Sequence, residues 1–521
     1  MTVTRASHTD AASLTSPPMR ALVIGSGFGG LAVAVRLAVK GYDVTVLEKR
    51  DQAGGRAGVF RQDGFTFDAG PTIITAPYLL EDLFTLAGRR LADYVRLFPI
   101  DPFYRIRFDD GSVFTYSGDP ERMRAEVARV SPGDVAGYEA FMARSREIFE
   151  KGYLELGHVP FLTPWSMVRT VPSLVRLECY RSVLGLVRRH VRSEKLRQVF
   201  SFHPLLVGGD PQHAPAIYAL ICHLERTWGV HFAEGGMGAV VRALVRLLGD
   251  LGVSVRLSSP VERIEIEQGR ARGVRLAGGE RLAADVVVSN GDVAWTYRHL
   301  VEPRHRPRNG DRKLARMRYS MSLFLIYFGT NRTWPELVHH TIVLGPRYEG
   351  LLDDVFRHQR LAADMSLYLH APTRSDASLA PPGCEAFYVL SPVPNLAAGI
   401  DWTATRERYR DAVYDRLEAT CLPGLRRHLV TERLFTPEDF RDELWSHLGA
   451  AFSFEPTLLQ SAYFRGHNRC PDVSNLYFVG AGTHPGAGLP GVLSSARVTD
   501  SLIPPAVAAA VRPAERRGAN A

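Results

Sequence analysis

Six residues near the start of a 521-residue chain, Gly25-Ser26-Gly27-Phe28-Gly29-Gly30, fit the pattern GxGxxG. Gly25 allows a tight turn, Gly27 lets backbone come close to a pyrophosphate, and Gly30 permits a helix to pack tightly on a strand. A helix starting at this loop offers free N–H groups and the positive end of its dipole to phosphate oxygens. Glu48, 18 residues after Gly30 and followed by Lys49, is placed to accept hydrogen bonds from a ribose. Together these residues describe a dinucleotide site. A βαβ turn with accidental glycines is the plainer reading, and the acid at the right distance counts against it.

NAD and FAD share this logic, and the sequel "EKRDQAGGRAG" separates them. The doublet Gly54–Gly55 lets the chain pass close to a flavin, and Arg56 can offer donors to a phosphate. A plain NAD site needs neither, so FAD is favoured. A second glycine-rich stretch, "VGAGTHPGAGLPG", stands some 450 residues later. It lacks the GxGxxG-plus-acid context. Residues 476–479 read as a strand, 480–488 as a loop able to approach a flat ring, and Pro490 suits the first turn of a helix. Leu489, Val492, Leu493 and Ala496 then recur at helical spacing. A helix N-terminus aimed at a flavin ring would stabilise the negative charge of its reduced form. The candidate contacts here are Gly480, Gly482, Thr483, Pro490, Gly491 and Val492. His484, inside the loop, could relay a proton, could hydrogen-bond the cofactor, or could do neither.

The elements that must position these residues are legible in part. Residues 21–24 read as a short buried strand. Residues 29–40 are apolar nearly all round, as in a helix buried on most faces, and Gly41 is placed to end it. Residues 43–48 make the second strand of a βαβ unit. A β-rich series over 253–290 reads as a meander, with turns at 258–260, 268–269 and 278–279. Further strands are expected near 323–328, 366–369 and 387–390. The fold class is α/β with a Rossmann-like nucleotide-binding part.

Bulk composition bounds the rest. The length favours two or more domains. No apolar run reaches the ~18 residues of a membrane span, and residues 1–18 lack the apolar core of a signal peptide. Residues 1–18 and 506–521 read as a disordered leader and tail. The five cysteines include no CxxC pair, which argues for reduced thiols, a cytoplasmic setting and no structural metal. Net charge is +8. Residues 166–200 carry eight Lys/Arg against two acids, with Leu174, Leu177, Leu184, Val187 and Val191 interleaved. This is either a solvated helical face or an amphipathic helix on an anionic bilayer. No recognition motif supports nucleic acid.

The run from Gly25 through "GGRAGVFRQDGFTFDAGPTIIT", with "THPGAGLPGVLSSARVT" near the end, resembles the bacterial carotenoid desaturases of the phytoene desaturase type. "SFHPLLVGGDP", "HHTIVLGPRY", "SLYLHAPT" and "TPEDFRDELWSHLGAAFSFEPTLLQSAYFRGHNR" extend the likeness over roughly residues 19–505. The resemblance implies FAD-dependent desaturation of phytoene to neurosporene or lycopene. It implies a discontinuous FAD-binding domain with the β-meander (19–95, 235–300 and 460–505). It also implies a mixed α+β substrate domain (96–234 and 301–459) with a membrane-associating helical section.

In family terms Gly70, Pro71 and Thr72 of "DAGPT" lie near the flavin ring, although the motif also reads as a simple turn. Val261 is a candidate adenine contact by analogy, and Glu455 and His203 are weaker candidates for a proton acceptor. A hydrocarbon offers no polar handle, so the substrate would need a long apolar tunnel. Oxygen or a membrane quinone is the expected electron acceptor, because only one full dinucleotide loop is present. The implied location is cytoplasmic and peripheral to membrane. Other readings stay open: a late-pathway or C30 desaturase, a carotenoid isomerase or ketolase, a flavin amine oxidase, or a non-enzymatic membrane flavoprotein.

Overall fold

The computed structural model describes residues 18–506. Apart from Pro18 and Ala506, the expected leader and tail lie outside the described residues.

Strand β1 (Arg20–Ile24), helix α1 (Phe28–Val39) and strand β2 (Asp43–Leu47) form the expected βαβ unit. Every residue of α1 from Phe28 to Leu37 is buried, as its all-round apolar pattern requires. Three later strands complete the sheet: β3 (Ser254–Arg256), β4 (Val286–Ser289) and β5 (Leu476–Phe478). The order is β5-β4-β1-β2-β3, all parallel. The two glycine loops therefore leave the same end of one sheet.

The meander is smaller than the sequence suggests. Only Val261–Glu267, Arg270–Leu276 and Arg281–Ala283 pair antiparallel. The flanking segments β3 and β4 belong to the parallel sheet, where β4 is buried at every residue. Alternation along a strand reports which face is buried and does not report the partner.

A second sheet has seven strands, in the order Leu429–Phe435, Ser322–Thr330, Glu385–Val393, Leu367–His370, His340–Val343, Tyr104–Arg107 and Val113–Tyr116. The three strands expected in the middle of the chain are all in it. Ser322–Thr330 is buried throughout because both faces are covered. Phe324, Ile326 and Phe328 pack toward helix Trp402–Thr420, while Leu323, Leu325 and Tyr327 join the core on the other face.

The basic section 166–200 divides in two. Leu177, Leu184, Val187 and Val191 are core residues. Its charges are largely satisfied within the protein: Arg181 and Arg189 meet Glu178, Arg188 meets Glu349, and Lys195 meets Asp110. The interleaved leucines and valines thus face a core rather than a bilayer. The exposed apolar stripe lies at the start of the section, on helix α2 (Pro164–Arg176). Trp165 is 61% exposed, and Val168, Val171 and Val175 are also exposed.

Candidate active site

One cavity of about 600 Å³ runs from the first glycine loop, past the second, to the inner face of α2. At its first end Gly25, Gly27 and Gly29 line the wall beside Gly54 and Gly55. Gly30 does not; it lies against the Gly25 carbonyl, in the close-packing role its position implied. Glu48 is buried at the wall. Its carboxylate accepts from the Ser26 N–H at 2.9 Å, from the Ser26 hydroxyl at 2.7 Å and from the Arg50 N–H at 3.0 Å. An ionised carboxylate has about four acceptor sites. Glu48 therefore holds the glycine loop in shape and keeps capacity for a ribose hydroxyl.

Lys49 sits 3.9 Å from the centroid of the Trp445 ring, and burial pulls its pKa down to about 8. Arg56 donates to the Ser446 hydroxyl at 2.7 Å, while its buried Nε has no partner. A cation with an unused donor on a cavity wall is chemistry suited to a phosphate. Val261 also lines this part.

The second end is built by Gly70, Pro71 and Thr72 together with Gly480, Gly482, His484, Pro490, Gly491 and Val492, all on the wall. Helix α3 (Leu489–Ser501) begins here behind Gly488, and no side chain caps it. Its first N–H groups are free for a ligand. Thr483 sits apart from its neighbours. Its hydroxyl donates to the Gly480 carbonyl at 2.9 Å and pairs with Ser495 at 2.7 Å, so it braces the loop from behind and is not on the wall.

His484 packs edge-on against Phe161 at 4.9 Å, and its Nε2–H donates to the Leu156 carbonyl at 3.3 Å. Burial pulls its pKa down to about 4, so the ring is neutral near pH 7, and its Nδ1 has no partner. His203 and Glu455 are not on the wall. His203 is sealed between Cys222 and Glu225, and Glu455 pairs with Arg318 at 2.8 Å. Neither can meet a substrate in the cavity.

Sequence reasoning missed Asn290, the residue after β4. Its Nδ2 donates to the Val479 carbonyl at 3.0 Å. A Cβ on Gly27 would stand 2.8 Å from its Oδ1, and one on Gly480 would stand 2.6 Å from its Nδ2. Both glycine loops are therefore small partly to admit one asparagine that ties them together. Its position just beyond a buried strand of a parallel sheet was the available signal.

These features fit FAD: a glycine cradle, a buried acid with spare acceptor capacity, an arginine with an unused donor, and an uncapped helix start. Beyond them the wall is mainly apolar, with Leu205, Leu220, Leu323, Leu325 and Leu390 among its residues. Such a fold and site define a flavin oxidoreductase.

Comparison with known proteins agrees. The sequence pattern of the family described as flavin containing amine oxidoreductase matches residues 28–499. An oxidoreductase from Methanosarcina mazei shares the fold with a TM-score of 0.64 at 17% identity, covering 92% of this chain and 99% of that one. Putrescine oxidase bound to putrescine does so with a TM-score of 0.61 at 16% identity, covering 93% and 98%. Much nearer in sequence is the lycopene-forming phytoene desaturase of Pseudescherichia vulneris, 52% identical over 93% of this chain and 99% of the relative. The neurosporene-forming phytoene desaturase of Cereibacter sphaeroides is 48% identical over 96% and 98%. The chain belongs to the phytoene desaturase group of the flavin-containing amine oxidoreductase family. It is an FAD-dependent oxidoreductase.

Proposed function

We propose that this chain desaturates phytoene, inserting double bonds in successive steps toward neurosporene or lycopene. The observation that carries this reading is the cavity itself. A nucleotide-shaped end and a long, mainly apolar end share one wall at Gly480–Gly491. Bound FAD would take up the hydride that each new double bond releases. The protein's own tasks are then distinct. Gly25, Gly27, Glu48 and Arg56 hold the nucleotide end. Gly70 to Thr72 and the uncapped start of α3 face the ring end, where the helix dipole favours negative charge. The leucine-rich wall holds a hydrocarbon by area alone, at about 25 cal/mol per Å² buried. Neutral His484 offers an acceptor at its free Nδ1. We read the parallel sheet and meander as the cofactor-binding part and the seven-stranded sheet as the substrate-facing part.

A bilayer surface is the proposed source of substrate. Helix α2 supports this with two apolar stripes. Trp165, Val168, Val171 and Val175 point outward, while Met167, Thr170 and Leu174 line the cavity. Leu458, Leu459 and Phe464 add exposed apolar surface, and the turn Ala462–Phe464 packs on α2. Contiguous exposed apolar surface marks a contact site. Among the described residues no helix is long and apolar enough to cross a membrane. Oxygen or a quinone is the proposed final acceptor.

The test is a product profile. Purified protein with FAD is given phytoene in liposomes, and the polyenes are separated by chromatography. Longer-wavelength products that increase with time are expected. Unchanged phytoene, alongside modification of an already coloured carotenoid, would replace this reading with a late-pathway one.

A further inference from the structure

At Thr72 the cavity wall meets a line of polar groups that leads away from the cofactor site. The Thr72 hydroxyl and the Tyr368 hydroxyl are 2.7 Å apart, and both residues line the cavity. The Tyr368 hydroxyl is also 2.7 Å from His340 Nδ1. Strand pairing sets His340 directly opposite His370. One ring nitrogen from each of His339, His340 and His370 lies within 4.8 Å of the others. His370 Nε2 is 2.9 Å from His339 Nε2, and His339 Nδ1 is 2.6 Å from the hydroxyl of Ser375, which is exposed. The break in the line is at His340 Nε2, which is buried and has no partner. One nitrogen of each ring lies within 4.8 Å of the others, a span that a single water can bridge.

We propose that Thr72, Tyr368, His340, His370, His339 and Ser375 form a proton exit from the cavity to the surface. This inference rests on the desaturase reading. Each double bond breaks two C–H bonds of the substrate. One leaves as hydride to the flavin, and the other leaves as a proton that an apolar cavity cannot store. The proton enters at the Thr72 oxygen, whose own proton passes to the Tyr368 oxygen. Tyr368 passes its proton to His340 Nδ1, and the His340 Nε2–H passes to a bridging water, which gives a proton of its own to the His370–His339 pair. His339 Nδ1–H delivers to Ser375 and solvent. Every group gives one proton and takes one, so charge and atoms balance.

The chemistry of the groups suits transit rather than storage. Burial pulls His339 down to about 3 and holds His340 and His370 well below the ordinary histidine range. Each ring therefore rests neutral, with one N–H and one lone pair, the form a relay needs. Burial also holds the Tyr368 hydroxyl well above the ordinary phenol range, so it keeps its proton at rest.

Three imidazoles also suggest a metal. Zinc–nitrogen bonds of about 2.0–2.1 Å in a tetrahedron set ligand nitrogens roughly 3.4 Å apart. The 2.9 Å separation of His339 and His370 is a hydrogen-bond distance instead.

Two measurements test the path. In anaerobic single turnover with phytoene vesicles and a pH-indicator dye, flavin bleaching and proton appearance are followed together. Wild-type protein should release its proton in step with bleaching. Tyr368→Phe removes one oxygen and keeps the ring. With FAD content and thermal midpoint unchanged, it should delay proton release at least about tenfold, and His370→Phe should do the same from the far half of the path. Proton release at the wild-type rate in both variants would overturn the proposal. If wild-type flavin never bleaches, the desaturase reading fails, and the second measurement decides the path without turnover. Nitrogen-15 histidine NMR of the resting holoprotein should find His340 as the Nε2–H tautomer, disturbed by Tyr368→Phe. An Nδ1–H tautomer of His340 that ignores Tyr368→Phe, or one equivalent of added zinc held only while His340 is present, would overturn it.

Discussion

At the scale of single residues, Asn290 and His484 change what the glycines mean. Gly27→Val should abolish FAD binding, giving colourless protein by absorbance at 450 nm. The clash is with Asn290 as well as with a pyrophosphate, because the added Cβ would meet Oδ1 at 2.8 Å. Asn290→Ala separates the causes. It leaves the cradle open and removes the tie to Val479, so FAD should still bind but more weakly, by about 1–2 kcal/mol or roughly tenfold. Unchanged affinity in a fluorescence titration would show that the tie is dispensable.

His484 makes a separate prediction about acid. Its folded pKa of about 4 lies below the ordinary value of 6.5, so the unfolded chain binds its proton first as pH falls. Stability from this residue is therefore whole above pH 6.5 and is lost progressively between 6.5 and 4, by about 3 kcal/mol in all. In denaturant melts, His484→Gln should be less acid-sensitive than wild type across that window. Parallel curves would show that the folded ring takes up its proton as readily as the unfolded one.

At the scale of elements, what the sequence revealed depended on how local the signal was. The βαβ unit and the start of α3 were legible because apolar spacing, a glycine and a proline act within one turn of chain. The basic section was not, because the same leucine spacing suits a bilayer and a core. Leu177 and Val187 turned inward to a core assembled from distant strands, which no local pattern reports. We accordingly propose α2 as the membrane face. Replacing Trp165, Val168, Val171 and Val175 together with serine removes side chains worth about 1.5–3 kcal/mol each when fully buried. Sedimentation with liposomes should fall at least tenfold. Reversing Arg188, Arg189 and Arg192 to glutamate should leave sedimentation nearly intact and instead lower the melting temperature, since Arg188 pairs with Glu349. The opposite outcome would move the docking role to residues 177–200.

At the scale of the whole molecule, we propose that the two glycine loops act as the two ends of one clamp. Most of the candidate site was legible as residue types, because phosphate and ring cradles demand glycine and a placed acid. What joins them was not, because Asn290, the His339–His340–His370 group and the cavity wall exist only once strands far apart in sequence pair. The clamp predicts coupled protection. FAD at about 100 times its dissociation constant should stabilise the fold by about 2.7 kcal/mol, and NAD at the same concentration should not. More telling is where the protection falls. In hydrogen exchange, amides near 25–30 and 54–57 should slow together with those near 480–491, since one ligand would span both loops and Asn290 links them. Protection limited to the first loop would leave the second as a substrate wall only, and its uncapped helix start would need another partner.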